Sequence, residues 1–344
     1  MFEQSLTSSS RKNRHIRGLI QRPEFVIPRL RVLVDEIFYT TQDGVFNVRL
    51  LSSRIEQDRD LSNQLLEICS KPYYVGKTPI RTVTQCIQRL GPDGFRSTAL
   101  QAYLELEIYP SQTWKKVMQE LQTYSLIVAH IAKVLSRYTN IDRNIAFQAG
   151  LLHRIGITMG LKILSGETFN PRLFRATLTE DQADQYGGEP LFNDDTEIRN
   201  LSASLKPEAP SKNTPIPLSD SVEDIWETLE VSHPLIGGMV METWGMDPEL
   251  QRFVAHYGQS TIDRKGHPLG ALIIYAEHLA QRFGFQISGI RRKIKGPKRT
   301  NRDQLAEESE QANVILALEP DNITEAVAEI RNVLIDGLRL NVRM

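Results

Sequence analysis

Ala146-Phe147-Gln148-Ala149-Gly150-Leu151-Leu152-His153-Arg154-Ile155-Gly156 reads as an apolar helix that delivers a histidine and an arginine just ahead of a glycine. The helical period extends to both sides of it. Ser125 to Leu135 sets Ile127, Ile131, Val134 and Leu135 on one face. Further upstream, Leu61, Leu65, Ile68 and Cys69 form a single apolar stripe on a helix that Asp60 can cap. Lys71-Pro72 and Gly91-Pro92 punctuate the chain, and from Pro23 to about Leu164 little alternates with period two. Short helices joined by short turns predict an all-α multi-helix bundle with mostly local contacts.

The 344 residues allow one large domain or two modest ones, with a substantial core. A charged fraction of 24% beside 40% hydrophobic residues excludes a chain that is disordered or collagenous throughout. Cys69 and Cys86 lie in apolar stretches without metal-ligand spacing, so they read as two buried small side chains, not as a disulfide or zinc framework. The first residues, Met1 to Gln21, put polar groups where a signal peptide has its apolar core, and no later segment approaches the roughly 20 apolar residues of a membrane span. The expectation is a cytoplasmic protein with no membrane insertion.

A net charge of −1 conceals three polarised segments. Residues 1–22 carry Arg11, Lys12, Arg14, Arg17 and Arg22 against Glu3, as expected of a basic, flexible extension. Residues 180–224 combine acids with Pro190, Pro207, Pro210, Pro215 and Pro217, the composition of an acidic, Pro-rich insertion or loop. Helical character resumes near Val222. After Phe285, Arg291 to Arg302 is a basic run that feeds the acidic Asp303 to Glu310, where a helix dipole favours carboxylates. The chain then closes on a stripe of Ile323, Val327, Ile330, Leu334 and Leu338, with Asn322 and Glu325 spaced as a capping box. The expected organisation is an extension over 1–22, a helical domain over 23–285 interrupted by the insertion, and a basic loop with C-terminal helices over 286–344 packed on that domain.

Two further polar islands accompany the opening stretch: Glu230-Val231-Ser232-His233-Pro234, running on to Trp244, and Phe253-Val254-Ala255-His256-Tyr257. Together with Ile27-Pro28-Arg29-Leu30, Asp58-Arg59-Asp60-Leu61, Ser70-Lys71-Pro72-Tyr73-Tyr74 and Leu272 to Ala280, they resemble the HDOD (HD-related output domain) family over about residues 22–285. That family is a signalling offshoot of the HD phosphohydrolases. Arg59 and Cys69 depart from its usual Asp-Pro and Asn-Ser patterns.

The resemblance implies a vestigial metal site. HD enzymes bind a divalent metal through an adjacent His-Asp pair, an earlier histidine and a later aspartate, and the metal activates water. Here His153 holds the histidine position, Arg154 replaces the aspartate, Tyr124 stands near the early histidine and Glu277 near the late aspartate. His233 and His256 match histidines that HD-GYP-type relatives use for further metals, and Tyr257 replaces the second of a His-His pair. A permanent guanidinium charge beside the metal position repels a dication and cannot ligate it. The ligand-pocket candidates are therefore Tyr124, His153, Arg154, His233, His256 and Glu277, with no catalytic residue, metal or cofactor expected.

Plainer roles compete for each of these residues. His153 could be a core histidine bonded to a carbonyl, His233 before Pro234 could turn or cap the next helix, and His256 could serve a helix C-terminus. Trp244 could be a packing anchor, and Arg154 could pair with Glu230 or Glu277. The functional expectation is a non-catalytic bacterial signal-transduction or scaffold protein that binds a protein partner, with a small molecule or nucleotide as a further ligand of the old pocket. The alternative is a divergent HD-type phosphohydrolase or phosphodiesterase. Nucleic-acid binding through residues 291–302 is disfavoured, because no aromatics interleave that run.

Overall fold

The computed structural model describes residues 27–41, 46–74, 78–164, 222–262, 265–287 and 301–340. The extension over 1–22, nearly all of the acidic 180–224 segment and most of the basic 291–302 run lie outside them. The described chain is helical, as its apolar spacing dictates: α1 (Val32–Thr40), α2 (Val48–Gln57), α3 (Arg59–Cys69), α4 (Val83–Tyr103), α5 (Lys115–Leu135), α6 (Arg143–Leu152), α7 (Ile155–Leu164), α8 (Val222–Thr243), α9 (Pro248–Ala255), α10 (Pro268–Arg282), α11 (Asn301–Leu316) and α12 (Pro320–Asn332). The strands among the described residues are β1 (Thr261–Ile262) and β2 (Lys265–Gly266), an antiparallel ribbon leading into α10.

Polar side chains start these helices. Asn47, Thr82, Asp142 and His267 each accept a backbone N–H of the following turn. The cap of α3 is Asp58, whose carboxylate takes the Leu61 N–H at 3.1 Å; the expected Asp60 lies in the first turn. Only the extended backbone at Asp58 lets its side chain fold back over the helix end. The capping box expected at Asn322 and Glu325 does not form either. Pro320 starts α12 earlier, with Glu319 as a cap that makes no side-chain bond, so Asn322 is already inside the helix. Within α4, Gly91 adopts φ 67° ahead of Pro92, which breaks the helix direction there.

The buried residues form a core centred on α5. The stripe Ile127, Ile131, Val134, Leu135 is buried, and so are Val128, Ala129, His130 and Ala132, because α6, α10 and α12 pack around that helix. Leu61, Leu65, Ile68 and Cys69 are fully buried between α3 and α4, with Cys86 beside them. Both cysteines are free thiols, as the sequence reading has them. Trp244 closes the far side: its indole N–H donates to the Pro28 carbonyl at 2.7 Å and its ring meets Tyr103 edge-on, which is an anchoring role. No helix of the described residues is long and apolar enough to cross a membrane.

Two glycines set how closely the helices behind the site approach. A Cβ on Gly150 would collide with the Ala129 backbone of α5, and one on Gly156 would collide with the His233 carbonyl and lie 2.8 Å from the Gly237 nitrogen of α8. The obstacles are backbone atoms, which cannot rotate away. Gly156→Ala is therefore expected to cost about 1–3 kcal/mol in urea denaturation. Gly94→Ala, which meets only the Leu90 Cβ at 3.3 Å, should stay within about 1 kcal/mol of the parent. Equal stabilities for the two variants would refute the close approach of α7 to α8.

Candidate functional site

Glu277 is the centre of the candidate site. It lies on α10, nearly buried, and Arg154, Tyr257, Tyr124 and His153 turn toward its carboxylate. Arg154, in the turn between α6 and α7, donates from Nη2 to Oε1 at 2.9 Å. Tyr257, just past α9, donates its hydroxyl to Oε2 at 2.7 Å. The Tyr124 hydroxyl reaches Oε1 from α5 at 3.5 Å, and His153 Nε2 lies 3.5 Å from the same oxygen.

His153 caps α6 and is fully buried, its Nδ1 2.6 Å from the Gly150 carbonyl. Since a carbonyl only accepts, Nδ1 carries a proton. The plain core-histidine reading thus holds at Nδ1, while Nε2 still faces the carboxylate. The Arg154 guanidinium lies between two rings, 5.6 Å from the centroid of Tyr124 and 5.7 Å from that of Tyr257, so it is held by ring faces as well as by Glu277. Of its two expected partners it takes Glu277; the side chain of Glu230 lies outside the described residues.

His233 completes the cluster from α8, its ring centroid 4.8 Å from that of Tyr257. It neither turns nor caps: α8 runs unbroken through His233 and Pro234. Burial, then the charge of Arg154, pushes its imidazole down to about 3, and its Nδ1 has no hydrogen-bond partner. Burial alone would push the Glu277 carboxyl up, but Arg154, His153 and the Tyr257 hydroxyl outweigh that and hold it well below the usual carboxylate range. Tyr124 and Tyr257 are pushed up by burial and then, for Tyr124, by Glu277, so both remain neutral donors.

Five of the six sequence candidates, Tyr124, His153, Arg154, His233 and Glu277, thus converge. His256 does not. It caps α9, with Nδ1 2.9 Å from the Arg252 carbonyl, at the partly exposed end of the helix. Its neighbour Tyr257 takes the inward place, although the sequence marks Tyr257 only as a replaced histidine. The helix stops at Ala255 and His256 has left helical geometry, so the residue that points inward cannot be counted from helical spacing.

This donor set does not fit a divalent metal. Both oxygens of Glu277, its one carboxylate among the described residues, are engaged, Oε1 by a guanidinium and Oε2 by a phenol, and a dication would have to share that space with Arg154. Among the described residues no three His, Cys, Asp or Glu gather as ligands.

Residues 27–173 match the HDOD domain family. The chain carries an HDOD domain. That match spans α1 to α7 and so holds Tyr124, His153 and Arg154, while His233, Tyr257 and Glu277 come from helices that follow it. No curated protein matches the sequence. Among solved structures the chain is similar to a candidate metal-dependent phosphohydrolase from Shewanella amazonensis SB2B, at 14% identity with a TM-score of 0.58 over 94% of this chain and 98% of that one. It is also similar to an HDOD domain protein of unknown function from Geobacter sulfurreducens, at 16% identity and TM-score 0.50 over 96% and 99%. A third is a candidate signal transduction protein from Marinobacter aquaeolei VT8, at 16% identity and TM-score 0.53 over 94% of this chain and 64% of that one. At these identities the likeness is one of fold: the all-α HDOD architecture extends beyond residue 173 through nearly the whole chain.

Proposed function

We propose that this HDOD protein is a non-catalytic signalling protein of a bacterial cytoplasm, acting as a scaffold or docking partner for another protein. One observation carries the reading: the Arg154 guanidinium is bonded at 2.9 Å to Glu277, the only carboxylate of the vestigial HD site among the described residues. A fixed monovalent cation there offers no exchangeable water, so it cannot generate the hydroxide nucleophile that metal-dependent phosphoester hydrolysis needs. Arg154 and Tyr257 already occupy the two oxygens of Glu277, which supports a protein partner over a small ligand in the pocket. Similarity of fold to a candidate signal transduction protein is consistent with this role.

The test is turnover. Purified protein with manganese or magnesium is expected to leave nucleoside phosphates, cyclic nucleotides and chromogenic phosphodiesters intact, and to contain less than stoichiometric metal by elemental analysis. Hydrolysis that disappears in His153→Ala would overturn the proposal and establish a divergent phosphohydrolase.

A further inference from the structure

A groove of about 370 Å³ opens where α3, the turn after it, the segment after α4 and the residues after α12 meet α5. Gln122 and Leu126, which α5 contributes, stand two residues to either side of Tyr124, so they lie on the opposite face of that helix from the Glu277 site. A left-handed turn builds the wall that follows α12. Arg339 takes φ 56° and the Leu340 N–H bonds back to the Leu334 carbonyl at 2.9 Å, which brings Leu338 and Leu340 to the groove.

The polar wall is Glu105, in the π-helical turn Leu104–Ile108 that continues α4. Gln64 of α3 donates its amide to Oε2 at 2.6 Å, and Gln101 of α4 donates to Oε1 at 2.9 Å. Each oxygen keeps a second lone pair. Glu36, Glu107, Glu277 and Glu329 all have an arginine partner, whereas Glu105 is held by neutral amides and has no ion pair among the described residues. Gln101 is 2% exposed, and its own amide oxygen has no partner. This wall is therefore short of donors. Glu67, exposed in the last turn of α3, adds a second carboxylate without an ion pair among the described residues.

Lys71 lines the same groove from the turn after α3, also without an ion pair among the described residues. Packing holds that turn against α5. Tyr73 and Tyr74 meet the buried His130, the Tyr73 ring edge-on at 4.5 Å, while Phe147 of α6 meets it at 5.2 Å and Lys133 lies over the Tyr73 and Phe147 rings. The aromatic box so formed anchors the segment that carries Lys71. The groove thus joins two carboxylates, one ammonium and an apolar surface of Leu126, Leu338 and Leu340. A partly apolar pocket of this size with a few convergent polar groups suits a small molecule.

We infer that this groove binds a free basic amino acid, with arginine the better fit. The guanidinium fork takes the two open lone pairs of Glu105, and the buried Gln101 oxygen is a further acceptor beside them. The alkyl stem lies on the leucines. The α-carboxylate pairs with Lys71 and the α-ammonium with Glu67, so each charged group of the groove meets its opposite. The groove shares no residue with the Glu277 site, and the inference stands or falls apart from the proposed function.

Calorimetric titration of the full chain with L-arginine is expected to show saturable binding. Norvaline, which lacks the guanidinium, should not bind. Agmatine, which lacks the carboxylate, should bind about tenfold more weakly than arginine, the worth of one charge-assisted contact. Lys71→Met should bring arginine down to the affinity of agmatine and leave agmatine no weaker than before. Glu105→Gln, which keeps one oxygen for the amides and whose folding circular dichroism checks, should abolish both. N-acetyl-arginine amide presents the side chain as a partner protein would, without the main-chain charges, and should bind no better than agmatine. If it matches arginine, the groove takes a protein side chain and the inference fails. It fails equally if arginine shows no saturable binding at millimolar concentration, if a folded Glu105→Gln binds as well as the parent, or if Lys71→Met weakens arginine and agmatine alike.

Discussion

Glu277→Gln is expected to destabilise the protein by about 3 kcal/mol at pH 7.5, the low end of the cost of breaking a buried ion pair, because the Arg154 side chain keeps 18% of its surface exposed. The amide can still accept from the Tyr257 hydroxyl, so the loss is mostly electrostatic. What remains is a guanidinium between two rings, its Nε already without a partner, with no anion to offset its desolvation. Arg154→Met in the same protein removes the stranded charge and keeps an unbranched chain against the rings, so the double variant should regain more than half of the loss. Chemical denaturation of the four proteins gives the coupling directly, expected at about 2 kcal/mol. Additive losses would mean that Arg154 and Glu277 are neighbours without being an energetic pair.

The same cycle separates two accounts of the site. If the guanidinium stands in for a metal, each single variant leaves one unsatisfied charge among Tyr124, His153, His233 and Tyr257, and only the double variant relaxes. If the pair merely decorates a helix junction, Arg154→Met costs little and Glu277 keeps its low proton affinity through Tyr257 and His153.

Much of this arrangement is legible in the sequence, and the failures have identifiable physical causes. Helical period places α3, α5 and α6, because their buried faces repeat every three to four residues and the core accepts only those faces. The motif order finds Tyr124, His153, Arg154, His233 and Glu277, which lie within helices or at their immediate ends. His256 and Tyr257 are exchanged because α9 ends between Ala255 and them, and past a helix end no period applies. Pro234 reads as a turn because proline removes an N–H and crowds the preceding turn. Contacts of α8 with α7 and α9, tight enough that Gly156 has no room for a side chain, hold the helix through it. The cluster around His130 and Lys133 escapes sequence reading because its rings come from the turn after α3, from α5 and from α6. No local spacing links Tyr73, His130 and Phe147.

Acid should destabilise this fold before any carboxylate titrates. His130 and His233 are both held down to about 3 by burial first, His130 also by Lys133 and Lys71, and His233 by Arg154 and His153. In the unfolded chain each takes its proton near 6.5. Their folded values lie below their unfolded ones, so no penalty exists above pH 6.5, and stability is lost progressively as pH falls from there toward 3. Glu277, also depressed, adds to the loss only below about 4.3. Asp35, Glu36 and Glu249 are raised by burial and act in the opposite direction, again around the carboxylate range. Between pH 6 and 5 the histidines therefore dominate, with half-buried His267, lowered by burial, acting in the same sense. Each fully buried imidazole should contribute a slope of about 1 kcal/mol per pH unit. Urea midpoints measured at pH 7.5, 6 and 5 should fall accordingly. His130→Phe, which keeps a ring in the aromatic box, should flatten the slope by about 1 kcal/mol per pH unit whatever it does to stability at pH 7.5, since packing costs carry no proton. An unchanged slope would mean that His130 takes up its proton in the folded protein, contrary to the enclosure by Tyr73, Tyr74 and Phe147.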